Sequence, residues 1–226
     1  MDQDSHVVVR KLGHVDYETA WHAMQAFCAR RHELTPDEIW LLQHPPVYTS
    51  GLRGRRREYA NPHDIPFVHS DRGGDMTYHG PGQVLAYVLM DLVRRGWGVK
   101  QLVHGLEQVV IDLLEAHGIQ AQRRAGAPGV YVMNKKIAAL GLRVRRGMSY
   151  HGLALNVDMD LTPFDAIDPC GYSDLEVTQL ADLEIRGGVA RAGEMLIPYL
   201  TRNLRYKSFE PEADPLFAHT PSSSDG

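Results

Sequence analysis

Cysteine is scarce in this chain of 226 residues, with only Cys28 and Cys170 present. So few thiols exclude a disulfide scaffold, and in a reducing compartment both are expected to be free. Lysine is scarce too, with five among the 24 Lys and Arg residues. Apolar runs are short, and none approaches the ~18 residues that a transmembrane helix needs. The start, Met1 to His6, has no basic stretch followed by an apolar one, so no secretory signal is expected and a cytoplasmic location is. The net charge of −4 argues against bulk nucleic-acid binding. There are 12 histidines, but no pair has H-x-x-x-H spacing and no cysteine joins them, so a zinc site is not expected.

What the chain does contain is strand and helix patterning in alternation. Val7-Val8-Val9 reads as a first strand. Asp16 reads as an N-cap, and Tyr17, Ala20, Trp21, Met24, Phe27 and Cys28 follow at helical spacing. That spacing makes Cys28 a small buried hydrophobe on a helix ending near Arg31. Strands are expected at 38–43, 47–51, 66–69, 84–92 and 153–157, with a short one at 119–122. Leu102, Val103, Leu106, Val109, Val110, Leu113 and Leu114 mark an amphipathic helix that Gly118 stops. Residues 129–132 and 137–142 read as a hairpin with Asn134 and Lys135 near its turn. A last helix is expected over 189–204. The fold class is α/β of the α+β type: a mixed, largely antiparallel sheet flanked by helices. One catalytic domain is expected over 1–215, and a disordered tail over 216–226.

The densest chemistry lies in Arg72-Gly73-Gly74-Asp75-Met76-Thr77-Tyr78-His79-Gly80-Pro81-Gly82-Gln83. Five of these twelve residues are Gly or Pro. Such loops either turn tightly or let backbone approach a ligand. Two arginine clusters, Arg53 with Arg55 to Arg57 and Arg143 with Arg145 and Arg146, suit either solvent or an acidic partner.

Cys170 lies between Pro169 and Gly171, which places it in a loop where a thiol is accessible. Unaided, a thiol is only a few per cent thiolate near neutral pH, and a neighbouring cation reverses that ratio. Lys136 is a candidate for that cation, because it precedes small residues; on a regular strand it shares a face with Ala138 and Leu140. His79 and His151, each beside Tyr and Gly, suit either a Cys–His pair or buried hydrogen bonding.

Taken together, R-G-G-D-M-T-Y-H-G-P-G-Q at 72–83, K-I-A-A-L-G-L-R-V-R-R-G at 136–147, Y-H-G-L-A-L-N-V at 150–157 and D-P-C-G-Y at 168–172 closely resemble the lipoyl(octanoyl) transferase family. Q-H-P-P-V-Y-T-S-G at 43–51 fits as well. The resemblance spans Gln43 to Tyr172, in family order. It implies the fold of the biotin and lipoate protein ligase catalytic domain. It also implies transfer of an octanoyl group from octanoyl-acyl carrier protein to a lysine of a lipoyl domain. The acceptors implied are the E2 subunits of 2-oxo-acid dehydrogenase complexes and the glycine-cleavage H protein.

By the same resemblance Cys170 is the catalytic nucleophile and Lys136 the lysine that lowers its pKa. The implied substrate-binding residues are Arg72, Gly73, Gly74, Asp75, Met76, Thr77, Tyr78 and His79, then Ala139, Leu140 and Gly141, then Gly152, Leu153 and Ala154. Asp75 and Met148 stand at variable family positions, and Asp168 stands where Asn is frequent. No cofactor, nucleic acid or membrane is implied. Thioester exchange is nearly balanced and amide formation runs downhill, so ATP is not required. Backbone N–H groups near Gly141 or Gly152 are the expected holders of the carbonyl oxygen. Two other readings differ in chemistry: an ATP-dependent lipoate or biotin protein ligase, which needs no nucleophilic cysteine, and a cysteine-dependent acyl hydrolase, which releases free octanoate.

Overall fold

The computed structural model describes residues 6–54, 61, 64–167 and 176–212. Segment 55–57 of the first arginine cluster, Cys170 with its neighbour Asp168, and the expected tail lie outside these.

Strand β6 (Gln83–Leu89) organises the sheet, and all seven of its residues are buried. An unbroken apolar strand can only sit where both faces are covered. It pairs antiparallel with β2 (Asp37–Gln43) on one side and with β9 (Met148–Asn156) on the other. Outside β2 lie β1 (His6–His14) and the edge strand β10 (Ser208–Glu212), both parallel to their neighbours. Outside β9 lie β8 (Lys135–Arg145) and the short edge strand β7 (Gly129–Val132), both antiparallel. The order β10-β1-β2-β6-β9-β8-β7 is therefore mixed and mostly antiparallel, as expected.

Helices α2 (Val99–Glu115) and α3 (Gly188–Asn203) cover one face, and α1 (Tyr17–Arg30) covers part of the other. Asp16 caps α1, accepting a hydrogen bond from the Thr19 amide at 3.0 Å. Leu102, Leu106, Val109, Val110 and Leu113 of α2 are fully buried, as their spacing required. A small second sheet, β4 (Phe67–His69), β3 (Val47–Ser50) and β5 (Met76–His79), stands over the α1 side. Tyr48, Tyr78 and Phe164 pack beneath it, Phe164 coming from the 3-10 turn Thr162–Ala166. No helix among the described residues is long and apolar enough to cross a membrane.

Two expectations need correction. The strand at 119–122 reduces to a single bridge between Gln122 and Tyr131. The second concerns β8. Val130 pairs with Ala138 but Tyr131 pairs with Lys136, so β8 holds one extra residue at Ile137. This bulge reverses the alternation. Lys136 shares its face with Ala139 and Gly141, whereas Ala138 joins the aliphatic core under α2.

Candidate active site

A cavity of about 220 Å³ opens on the α1 side of the sheet, under the glycine loop and β5. Backbone hydrogen bonds hold much of the loop there. The amides of Gly51, Leu52 and Arg53 donate to the carbonyls of Asp75, Arg72 and Gly74 at 3.0–3.1 Å. A Cβ on Gly51 would meet three of the loop's carbonyl oxygens at 2.5–2.9 Å, so only glycine fits there. Gly73 then donates its N–H to Leu142 O at 2.8 Å, which ties the loop to the open edge of β8 beyond the end of β7. Arg72 is 6% exposed, and its guanidinium donates to Thr49 O at 2.7 Å and to Thr49 Oγ1. It serves as the loop's internal post.

The resemblance-derived segments converge on this cavity. All of Arg72 to His79 except Tyr78 line it, as do Ala139–Gly141 and Gly152–Ala154. Tyr78 points away, because β5 alternates, and packs against Tyr48 and Phe164 instead. Lys136 is only 4% exposed and also lines the cavity. Its ammonium lies 5.4 Å from the centre of the Tyr131 ring. Its stem passes over Gly129, where a Cβ would sit 3.1 Å from Lys136 Cε. The Lys136 backbone pairs with the chain that resumes at Glu176: its N–H donates to Glu176 O at 2.8 Å, and its carbonyl accepts from Thr178 at 3.0 Å. Phe164 and Val177, on either side of the segment carrying Cys170, both line the cavity. Lys135, by contrast, is exposed and ion-paired with Glu176 at 2.5 Å.

Backbone donors fall differently from expectation. β9 has a neighbour on each side, so Gly152 is committed to the ladders. Leu142 turns its carbonyl to the open edge of β8, so Leu140, two residues back, presents its backbone there too, while Gly141 faces β9.

The α1 side of the cavity is an aromatic and imidazole wall. The Tyr17 ring stacks between His79 (5.9 Å) and His151 (6.4 Å). His44 donates Nδ1–H to Val15 O (2.6 Å), and its Nε2 accepts from the Tyr87 hydroxyl (2.7 Å), which fixes the ring. Burial lowers the pKa of His79 and His151 and brings that of His44 down to about 4, so all three are neutral at pH 7. His151 adopts φ +60 and lies 3.1 Å from Asp71. Burial alone would raise the Asp71 pKa; hydrogen bonds from His151 and Tyr150 outweigh it and hold the carboxyl below its usual range. A neutral His151 donates Nε2–H to an ionised Asp71, and its buried Nδ1 has no hydrogen-bond partner among the described residues. His79 bonds Gln83 at 2.7 Å. Both histidines therefore serve as buried hydrogen-bonding residues. Cys28 packs at the edge of the α1 cluster, its thiol pushed up to about 11 by burial.

Sequence reasoning missed Tyr17, Leu85, Tyr87, Asn156 and Val177 among the cavity residues. Period-two reading along β6 and β9 would have found Leu85, Tyr87 and Asn156. No local signal marks Tyr17 or Val177, which arrive from other parts of the chain.

A deep cavity with one buried lysine, reached by a glycine loop and floored by small residues, defines a small-acyl-group site. The chain belongs to the family described as the lipoyl protein ligase A/B catalytic domain, which matches residues 16–189. Its similar relatives are named octanoyltransferases, which makes the chain an enzyme of the acyltransferase class. The relative from Thiobacillus denitrificans is 58% identical over 202 residues, covering 89% of this chain and 93% of its own. That from Laribacter hongkongensis is 52% identical over 205 residues, covering 91% and 99%. In fold the chain is similar to lipoate-protein ligase A bound with ATP, with a TM-score of 0.75 at 14% identity over 94% of this chain and 90% of that one. It is also similar to the biotin protein ligase from Aquifex aeolicus, with a TM-score of 0.55 at 14% identity over 88% and 70%.

Proposed function

We propose that the protein moves an octanoyl group from octanoyl-acyl carrier protein to a lysine of a lipoyl domain, through a thioester on Cys170. The acceptors are the E2 subunits of 2-oxo-acid dehydrogenase complexes and the glycine-cleavage H protein. The observation that carries this reading is Lys136, buried at one end of a floor of Ala and Gly residues and hydrogen-bonded through its backbone to Glu176 and Thr178.

The steps balance without a cofactor. The Cys170 thiolate attacks the thioester carbonyl, the carrier thiolate leaves, and the octanoyl group remains on sulfur. The Lys136 ammonium favours the thiolate and stabilises charge on the carbonyl oxygen, with the Leu140 N–H on the open β8 edge as a backbone donor. The departing carrier thiolate takes a proton from the Lys136 ammonium, which leaves that amine neutral; the acceptor amine then attacks, gives its proton to Lys136, and Cys170 leaves as thiolate. Arg53, which lines the cavity, and the exposed Arg145 and Arg146 suit an acidic carrier.

The test omits the acceptor. Mixing the protein with octanoyl-acyl carrier protein is expected to yield an octanoyl adduct on the Cys170 peptide, visible by mass spectrometry and removed by hydroxylamine. Absence of the adduct, or transfer that depends on ATP, would overturn the reading.

A further inference from the structure

The cavity floor is built of cross-strand rows whose members all face the α1 side. Leu85, Ala154 and Ala139 form one row, and Tyr87, Gly152 and Gly141 form the next. Asn156, beside Gln83, opens the series at the end where Lys136 stands. From Asn156 to Gly152 is four residues of strand, about 13 Å. At Ala139 and Gly141 of β8 and Ala154 and Gly152 of β9 this floor has no side chain larger than a methyl group. It accepts an extended chain lying parallel to the strands, with its head beside Lys136 and its tail over Gly141 and Gly152.

The next row ends the floor. Tyr150 pairs with Arg143, and neither residue lines the cavity. Tyr150 is 1% exposed and cannot swing aside, because its hydroxyl donates to Asp71. The same carboxylate accepts from Trp21 Nε1 at 2.8 Å and Gln25 Nε2 at 3.3 Å, and from His151. Asp71 thus ties α1 to the far end of β9. His151 adds its ring on the same side through its left-handed backbone. Gly152 follows it where a Cβ would strike Ala86 O at 1.9 Å, so the strand cannot refill the space just before Tyr150.

We propose that Tyr150, clamped by Asp71, is the end stop that sets acyl-chain length, and that the Ala139–Ala154 row is the gauge in front of it. This deepens the acyl-transfer reading and rests on it for the orientation of the chain. Tyr150 is a specificity-determining residue, and Asp71 is a positioning residue that acts through it. Shortening Tyr150 extends the floor by one row. Enlarging Ala139 closes the floor two rows early, before the Gly141–Gly152 row.

The experiment compares wild type, Tyr150→Ala, Tyr150→Phe and Ala139→Val with butanoyl, octanoyl and dodecanoyl thioesters. Tyr150→Ala is expected to raise the dodecanoyl-to-octanoyl rate ratio about tenfold or more, and Ala139→Val to lower the octanoyl-to-butanoyl ratio by a similar factor. Tenfold is the lower bound of what one methylene commands in an apolar pocket. Tyr150→Phe keeps the ring but loses the clamp, and is expected to widen the length profile without moving its optimum. Thermal stabilisation by free butanoate, octanoate and dodecanoate gives the same ranking without any transfer step. If wild type transfers nothing yet these acids rank as expected, the transfer reading fails and the end stop stands. If all lengths change equally in every variant, the end stop is rejected. Should Tyr150→Ala not fold, Ala139→Val alone decides.

Discussion

The two faces of the main sheet are built to opposite rules. On the α2–α3 side, Val84, Ala86 and Val88 of β6 and Leu153 and Leu155 of β9 meet Leu102, Leu106, Val109 and Leu113 in one continuous aliphatic core. On the α1 side, α1 covers Trp40, Leu42, Leu89 and Tyr150, then stops. The rest of that face carries Ala, Gly, Tyr, His and one buried lysine around a cavity. The first face is packed by aliphatic shape and contributes stability. The second holds buried polar groups, among them His44, His79 and His151, and leaves space where a substrate belongs. Stability and activity are thereby separated across a layer one strand thick, and substitutions on either side should tell them apart.

The largest expected effect is on the cavity side. Lys136→Met removes the ammonium but keeps the apolar stem, and acyl transfer should fall by about 10²–10⁴-fold. The melting temperature should hardly change, since an apolar isostere of a buried charge is often neutral in stability. Single-turnover acylation and a thermal melt on the same sample check both halves. A large loss of stability would mean that Lys136 is structural.

On the helix side the signs reverse. Leu113 is fully buried. Leu113→Ala should cost about 2–5 kcal/mol in urea unfolding while leaving the chain-length profile of the folded enzyme as it was. A changed profile would show that the two faces are coupled.

The histidine wall predicts a pH dependence next in size. His44 has its pKa lowered by burial from 6.5 to about 4. Its folded pKa lies below its unfolded one, so between those values only the unfolded chain takes up the proton. Stability is therefore full above pH 6.5 and falls as pH drops towards 4, by about 3 kcal/mol in all for this residue. His79 and His151 shift in the same direction. Urea titrations at pH 7 and pH 5 should show the fall, and His44→Gln should reduce it. A pH-independent midpoint would contradict the neutral wall.

The smallest effect concerns Cys28, whose thiol burial holds near 11. It should resist alkylation at pH 8, and Cys28→Ala should change stability by about 1 kcal/mol with no change in transfer.

Much of the helix side was legible in the sequence. The spacing of Leu102 to Leu114 specified α2, and the unbroken run from Val84 specified a strand buried on both faces, ending at Leu89 rather than Leu92. The hairpin of β7 and β8 was legible in Asn134, whose φ of +70 suits its tight turn. β10 was missed, because Pro211 inside it argues against a strand; at a sheet edge proline is tolerated. β5 was hidden inside a run dominated by glycine signals. The bulge at Ile137 has no signature in K-K-I-A-A-L, and reading β8 as regular assigned Lys136 to the wrong neighbours. Asp71 carried no mark either, since its four partners come from α1 and β9, far away in the chain.

Local periodicity, turn chemistry and the spaced motifs determined, by themselves, which segments are strands and helices, which family the chain joins and which segments the motifs mark for the substrate. Those properties depend on neighbours a few residues apart, and such neighbours are written next to each other. Which side of β8 Lys136 faces, where the acyl floor ends and how deep burial holds the histidines neutral were decided only by the tertiary structure. Each depends on register between strands and on burial, and both exist only once distant segments have been brought into contact.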